Sequence, residues 1–278
     1  MRQKKMVSIL MPVYNGYPDI KRSIAALLWQ SYTEWECIIV NDGSIDDTKV
    51  FLDQLSDLRF KVIHLEKNLG RGNARQVALE HAKGEFIAYL DADDWWAPNK
   101  LEKQLQYMFC HPDVDLVSTG LYSYGEMRKY RRIRGVGDGI PKLFVKSKDS
   151  LQIICASAMI RRSVIAYHRY DLSIDYGEDI DFFSRCMDGR KYTNLSDVLY
   201  YYSEFDSMSI VKLKRAYKEI YNRERNLKVW LKYFYYSFVA PILGIDFIIK
   251  HRGSVPMERE NQIFDTLFRR LKIETAEI

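Results

Sequence analysis

The sequence predicts an α/β fold, a doubly wound and mainly parallel sheet flanked by helices. Short apolar runs with β-branched and aromatic members recur at Met6–Met11, Cys37–Val40, Phe60–Leu65 and Phe86–Leu90, each short enough for a buried strand. Helix-like segments separate them, at Ile20–Trp29, Thr48–Leu55 and Ala74–Lys83. Strand-helix-strand alternation of this kind builds parallel sheets with right-handed crossovers. Polar side chains also gather just after the runs, at the strand ends where such sheets hold ligands.

The totals agree with an ordinary globular chain. Its 278 residues, 47% hydrophobic and 28% charged, suffice for one large domain or two small ones. A net charge of +5 is too modest to argue for a nucleic-acid partner. Cys37, Cys110, Cys155 and Cys186 are scattered without a CxxC pair, which excludes a closely spaced zinc motif and fits a reducing compartment. The apolar run after the basic Met1–Lys5 stops at Pro12, too short for the core of a signal peptide, so it reads as a first strand and a cytoplasmic location is expected.

Taken in order, the first run opens into the loop Pro12–Gly16, with Tyr14 at the strand tip placed to stack on a base. The second ends in Asn41-Asp42-Gly43-Ser44. Asp42 there either accepts hydrogen bonds from a base or ribose, or closes an Asx-turn or helix cap. Asp46, Asp47 and Thr48 start the next helix. Asn68–Asn73 is a glycine-bearing loop that lacks both the GxGxxG and the GKS/GKT signatures. Arg75, on the helix after it, is the better candidate to meet a diphosphate or a carboxylate.

The fourth run delivers Asp91, Asp93 and Asp94. On an extended backbone Asp91 and Asp93 would point the same way. Carboxylates held that close call for a cation, and hard oxygen ligands suit Mg²⁺ or Mn²⁺ shared with substrate phosphates. The bland alternative is an acidic turn that caps a helix.

Beyond residue 115 the pattern loosens. Val114–Leu121 reads as a strand, and the basic run Arg128–Arg134 as a solvated hairpin or loop. Ile153–Ile160 reads as a buried strand carrying Ser157, against which a sugar could lie. Gly177 breaks the chain before Glu178, Asp179 and Asp181, acidic residues that favour a helix N-terminus. Val198–Tyr202 is a last apolar run. After it the composition shifts: Lys212, Lys214, Arg215 and Lys218 through Lys232 interleave with Tyr217, Tyr221, Trp230 and Tyr233. Such mixtures suit an anionic membrane surface, while Phe234–Ile249, interrupted by Pro241 and Asp246, falls short of the roughly 20 residues of a spanning helix. A helical tail that lies on the membrane or packs on the domain is expected.

Several of these stretches carry a resemblance. Pro12-Val13-Tyr14-Asn15, Val40-Asn41-Asp42-Gly43-Ser44, Asn68-Leu69-Gly70 with Ala74-Arg75, and Gly84-Glu85-Phe86-Ile87 through Asp91-Ala92-Asp93-Asp94 resemble family 2 glycosyltransferases in order and spacing, over about Met6 to Ser209. The resemblance implies an A-type glycosyltransferase fold, a Rossmann-like mixed sheet that binds a nucleotide-sugar, most often a UDP-sugar. It implies a catalytic domain over 1–210, with a nucleotide-sugar half (1–115) and an acceptor half (116–210), before a basic and aromatic helical extension over 211–278. Pro12, Tyr14, Asn15, Asp42, Gly70, Arg75, Asp91, Ala92 and Ser157 would bind the nucleotide-sugar, and Asp93 would hold Mn²⁺ or Mg²⁺ across the diphosphate. Asp179, with Glu178 beside it, would supply the base that deprotonates the attacking hydroxyl. Many relatives carry Arg-x-His-x-x-Ser-x-Ser near the end of this region. Aligned on Ser207 and Ser209, this chain has Tyr202 and Glu204 instead, and Glu204 could still ligate a hard cation.

The expectation is therefore a metal-dependent, inverting, non-processive hexosyl- or N-acetylhexosaminyltransferase. The acceptor would be a glycan, polyprenyl-diphosphate-linked or not, of a surface polysaccharide such as O-antigen or capsule, at the inner face of the cell membrane. Two rival readings stand beside it. A nucleotidyltransferase would need a triphosphate-gripping glycine loop after the first strand, where Pro12-Val13-Tyr14-Asn15 stands. A catalytically silent sugar-nucleotide-binding or scaffold protein would not need Asp91, Asp93 and Asp179 together.

Overall fold

The computed structural model describes residues 5–124, 132–148, 151–174 and 177–203. Its N-terminal half is the predicted parallel layer. Strands β1 (Val7–Val13), β2 (Trp35–Asn41), β3 (Phe60–His64) and β4 (Phe86–Tyr89) stand in the order β3-β2-β1-β4 and are joined by helices α1 (Ile20–Leu28), α2 (Thr48–Leu52) and α3 (Arg71–His81). Alternate residues of each strand feed opposite faces. Ile9, Met11, Cys37 and Ile39 join α1 in one core, whereas Leu10, Ile38 and Val40 join α3 in the other. Two covered faces explain why these strands read as unbroken apolar runs.

The second half extends the same sheet with mixed strands. Its elements are β5 (Trp95–Trp96), α4 (Lys100–Cys110), β6 (Leu116–Tyr124), β7 (Arg132–Arg134), β8 (Lys142–Phe144), β9 (Met159–Arg161), α5 (Arg162–Ile165), α6 (Glu178–Cys186) and β10 (Arg190–Ser203). Beyond β4 the order runs β9-β6-β10-β5, and β7 and β8, added at the side, bring the sheet to 10 strands. Strand β9 is antiparallel to β4 and β6, and β10 is parallel to β6. The basic run is in part a hairpin strand, β7, against β6; residues 128–131 lie outside the described residues, as does the 211–278 extension.

Several boundaries differ from the sequence reading. Strand β1 continues through Pro12 to Val13. Pro12 is tolerated because β1 and β4 part there: the last bond between them is Leu90 N–H to the Leu10 carbonyl, 3.1 Å, and the N–H that proline lacks would have faced that gap. Helix α3 starts at Arg71, since Gly70 (φ 91°) makes the turn and its carbonyl accepts the Ala74 N–H at 3.1 Å. Ile153–Ile160 is a 3₁₀ turn, Cys155–Ser157, followed by β9.

Below the sheet, at the N-terminal end of β4, Gly84 approaches β1 closely. A Cβ there would stand 2.5 Å from the Ser8 nitrogen and 2.8 Å from the Met6 carbonyl oxygen. The Ser8 hydroxyl accepts the Gly84 N–H (2.7 Å) and donates to Glu36 (2.6 Å), which Lys61 also pairs. Gly84→Ala is expected to cost about 1–3 kcal/mol as an overpacked site, read as a lowered Tm; an unchanged Tm would mean that the strands separate freely here.

Among the described residues no helix is long and apolar enough to cross a membrane. A groove of about 430 Å³ between Leu79, Glu80, Arg162, His168 and Arg169 lies along the C-terminal half of α3 and contains none of the candidate residues.

Candidate active site

The strand order reverses between β1 and β4, and the crevice above their C-terminal ends is where an open α/β sheet binds its ligand. Three loops meet there. From β1, Tyr14 is exposed, and Asn15 adopts φ 51°, a left-handed conformation asparagine accepts better than most residues. Asn15 is stitched to the loop after β2: its N–H donates to the Ser44 hydroxyl and its Oδ1 accepts the Ile45 N–H, each at 2.9 Å.

Asp42, only 3% exposed, accepts the Leu69 N–H at 2.8 Å and the Gly70 N–H at 2.9 Å. The carboxylate thereby fixes the loop before α3 through bonds 27 and 28 residues along the chain, rather than closing the local Asx-turn weighed beside base binding. Gly43 (φ 70°) lets the two loops touch, since a Cβ there would lie 2.5 Å from the Lys67 carbonyl carbon. Leu69, half exposed on this loop beside the Asp42 partners, was not singled out by sequence, because a lone leucine in a loop carries no signal.

The acidic stretch is a turn. The Asp94 N–H donates to the Asp91 carbonyl at 3.1 Å, so the extended backbone invoked for Asp91 and Asp93 is absent from the stretch that carries the three carboxylates. Each then meets a different fate. Asp91 accepts from Arg75 Nη2 at 2.9 Å. Asp93 is exposed yet surrounded by protein, and that surrounding, with Asp91 next, pushes its pKa up to about 6. Asp94 is fully buried, accepting from the Tyr200 hydroxyl (2.6 Å) and the Ser203 N–H (2.7 Å). Burial first, then Asp93 and Asp91, hold the Asp94 pKa well above the carboxylate range. It fastens the end of β10 to the acidic turn. Ala92 is a core side chain, and the carbonyls of Ala92 and Asp94 share the Ser23 hydroxyl of α1 at 2.7 and 2.6 Å.

Arg75 joins the halves of the protein. Only 5% exposed, it reaches Asp91 with one nitrogen and Glu178 Oε1 with the other at 2.6 Å. Burial alone would lower its pKa, but Asp91 and Glu178 raise it well above the usual value; it is a fixed cation. Glu178, buried in the first turn of α6, has its pKa raised by burial against the pull of Arg75. Of the two roles open to Arg75, the structure fills the carboxylate one. Asp179 follows Glu178 on the same turn and is half-buried. Its Oδ1 accepts the Ile180 N–H at 2.8 Å, and burial, then Asp179, lifts the neighbouring Cys155 thiol well above its ordinary pKa.

Ser157 does not face the crevice. It is fully buried, with its hydroxyl donating to the Thr119 carbonyl (2.8 Å) and beside Ser118 Oγ (2.9 Å); a small polar residue in an apolar run read as a sugar contact is a sheet-core bond. Glu204 lies outside the described residues. Among those residues, no three His, Cys, Asp or Glu side chains cluster as a ready-made metal site.

The strand order and the crevice over its switch point are those of an A-type glycosyltransferase fold. The sheet matches UDP-bound TarS of S. aureus with a TM-score of 0.63 at 21% identity, over 94% of this chain and 79% of that one. It likewise matches the mannosyltransferase PcManGT from Pyrobaculum calidifontis in complex with GDP-Man and Mn²⁺, with a TM-score of 0.62 at 15% identity, over 99% and 84%. Residues 8–168, more than half of the chain, match the family described as glycosyl transferase family 2. The chain belongs to that family. It is similar to the UDP-Glc:alpha-D-GlcNAc-diphosphoundecaprenol beta-1,3-glucosyltransferase WfgD of Escherichia coli, 44% identical over 103 residues, which are 37% of this chain and 41% of WfgD.

Proposed function

We propose that this chain transfers a single sugar, hexosyl or N-acetylhexosaminyl, from a UDP-sugar to a glycan acceptor with inversion, assisted by Mn²⁺ or Mg²⁺. The observation that carries this reading is the acidic turn at the switch point, where Asp93 alone of the three carboxylates is turned to solvent while Asp91 and Asp94 are engaged. An exposed carboxylate with a raised pKa marks negative charge that a divalent cation would balance. The residues therefore fit the ion: Asp93 would hold it, diphosphate oxygens and water would complete the shell, and Glu204 is a further candidate. Ser203, its chain neighbour, is tied to Asp94 beside the same turn, which supports that candidate. The bound ion would supply charge stabilisation for the departing nucleoside diphosphate.

The chain's own residues divide the remaining tasks. Tyr14 and Leu69 offer apolar surface to the base, and Asp42 keeps lone pairs for it beside the two backbone bonds. Arg75 holds Asp91 in place for the ribose. Asp179 takes the proton of the attacking hydroxyl, and one displacement with Asp179 on the acceptor side inverts the anomeric centre. The diphosphoundecaprenol in WfgD's name supports a lipid-linked acceptor and a surface polysaccharide product, at the cytoplasmic face of the membrane. The matched stretches cover only 42% and 41% of the first relatives' lengths, and the acceptor belongs to this proposal alone.

Asp93→Ala is expected to abolish the Mn²⁺-dependent part of UDP binding. Even outer-sphere changes at metal sites cost about 10–100-fold in metal affinity, so calorimetric titration of the variant with Mn²⁺ should match wild type in EDTA. A Mn²⁺ effect that survives the substitution would remove Asp93 as the ligand.

A further inference from the structure

We propose that His64 is a positioning residue of the donor site, holding the Asp42–Gly43–Ser44 loop only as the neutral imidazole protonated on Nε2. The proposal rests on reading that loop as part of the UDP pocket. Asn41 and His64 end the adjacent strands β2 and β3, in register with each other. The Ser44 N–H donates to Asn41 Oδ1 at 3.1 Å, so the Asn41 amide is oriented with Nδ2 toward His64 Nδ1, 3.0 Å away. An NH₂ group only donates, so Nδ1 must offer a lone pair. Nε2 lies 3.0 Å from Asp53 Oδ1, an acceptor, and must carry the proton. One tautomer satisfies every pair.

A proton on Nδ1 would confront the amide NH₂. If Asn41 turned over, its NH₂ would instead confront the Ser44 N–H. In the first case the bond that orients the Asn41 amide is lost, in the second the Ser44 bond itself, and Ser44 is the residue that receives the Asn15 N–H from the opposite loop. The charged group bonded to His64 is Asp53, at the end of α2 and itself paired with Lys49 at 2.7 Å. The chain of bonds runs from Asp53 through His64 and Asn41 to the loop that carries Ser44.

The test is calorimetric UDP binding with Mn²⁺ to the full chain, for wild type, His64→Asn and His64→Leu, with melting temperatures alongside. Asparagine can place an acceptor where Nδ1 stands, and it does not titrate. His64→Asn is expected to bind UDP within about twofold of wild type at neutral pH, whereas His64→Leu should bind about tenfold more weakly, having left the Asn41 amide unpaired. Equal UDP affinity in His64→Leu, with or without a lowered Tm, would overturn the proposal. So would a loss of about tenfold in UDP affinity in His64→Asn at an unchanged Tm, a readout that remains even if the leucine variant fails to fold. Wild type that binds no UDP at all would overturn the reading of the pocket, and the role of His64 with it.

Discussion

Asp179→Asn is expected to lower kcat for sugar transfer by about 10²–10⁴-fold, the range contributed by a positioned general base, while UDP affinity stays within about twofold. Both parts follow from where the residue stands. Asp179 lies in the first turn of α6, half-buried, with its Oδ1 accepting the Ile180 N–H and its carboxylate beside the Cys155 thiol, so an amide of the same shape is expected to leave the loops after β1 and β2 in place. Asparagine keeps the shape and the Ile180 bond but cannot accept the hydroxyl proton. Single-turnover transfer and UDP titration on the same preparation separate the two quantities. Transfer at the wild-type rate would remove Asp179 from the base role, and a parallel loss of UDP binding would make it part of the donor pocket instead.

Arg75→Met is expected to be more damaging to the protein as a whole. It would leave Glu178, 2% exposed, as a buried carboxylate facing only the exposed Arg71 at 3.7 Å, and it would free Asp91. Breaking a buried ion pair from one side costs about 3–5 kcal/mol, so the Tm should fall by roughly 2–4 °C for each of those kcal/mol. The cause can be isolated. Adding Glu178→Gln removes the stranded charge, and the double variant should recover much of the lost Tm while donor binding stays impaired, because Asp91 is still unheld. Arg75→Lys should not restore activity, since an ammonium cannot span Asp91 and Glu178 as the planar fork does. A double variant no more stable than Arg75→Met would show that packing, rather than charge, sets the cost.

Much of the fold was legible because its first half is a local code. In β1, β2 and β4 nearly every residue is buried on both faces, so strand length and composition announce them. Helix α4 is also a local pattern: Leu101, Leu105 and Met108 keep helical spacing and reach the core. The strand β5 was not legible. Trp95–Trp96 is a strand only because Tyr200 and Tyr201 lie beside it, more than a hundred residues later. Strand β10 spans Arg190–Ser203 but shifts register around Asn194, Val198 and Tyr200. Only its final stretch keeps an apolar pattern a sequence can show.

The site divides along the same line. Which residues carry charge at strand ends was plain from the sequence. Which carboxylate does what was not, because the answer lies in partners far along the chain. Asp91, Asp93 and Asp94 are chemically alike and nearly adjacent; Arg75 engages the first, Tyr200 and Ser203 the third, and the second is left open to solvent. Arg75 and Glu178 are separated by 103 positions. Ser157 misled for the converse reason: a buried serine bonded within the sheet has the same sequence signature as one facing a sugar.

The central claim is transfer from a UDP-sugar with a divalent cation held at Asp93. The most direct test measures UDP release from a panel of UDP-sugars with Mn²⁺, with and without EDTA, in the presence and absence of polyprenyl-diphosphate-linked glycan acceptors. The account predicts UDP release from one donor that EDTA abolishes and an acceptor accelerates. UDP bound tightly with no release from any donor, even with lipid-linked acceptors present, would contradict it and leave a sugar-nucleotide-binding protein without transfer.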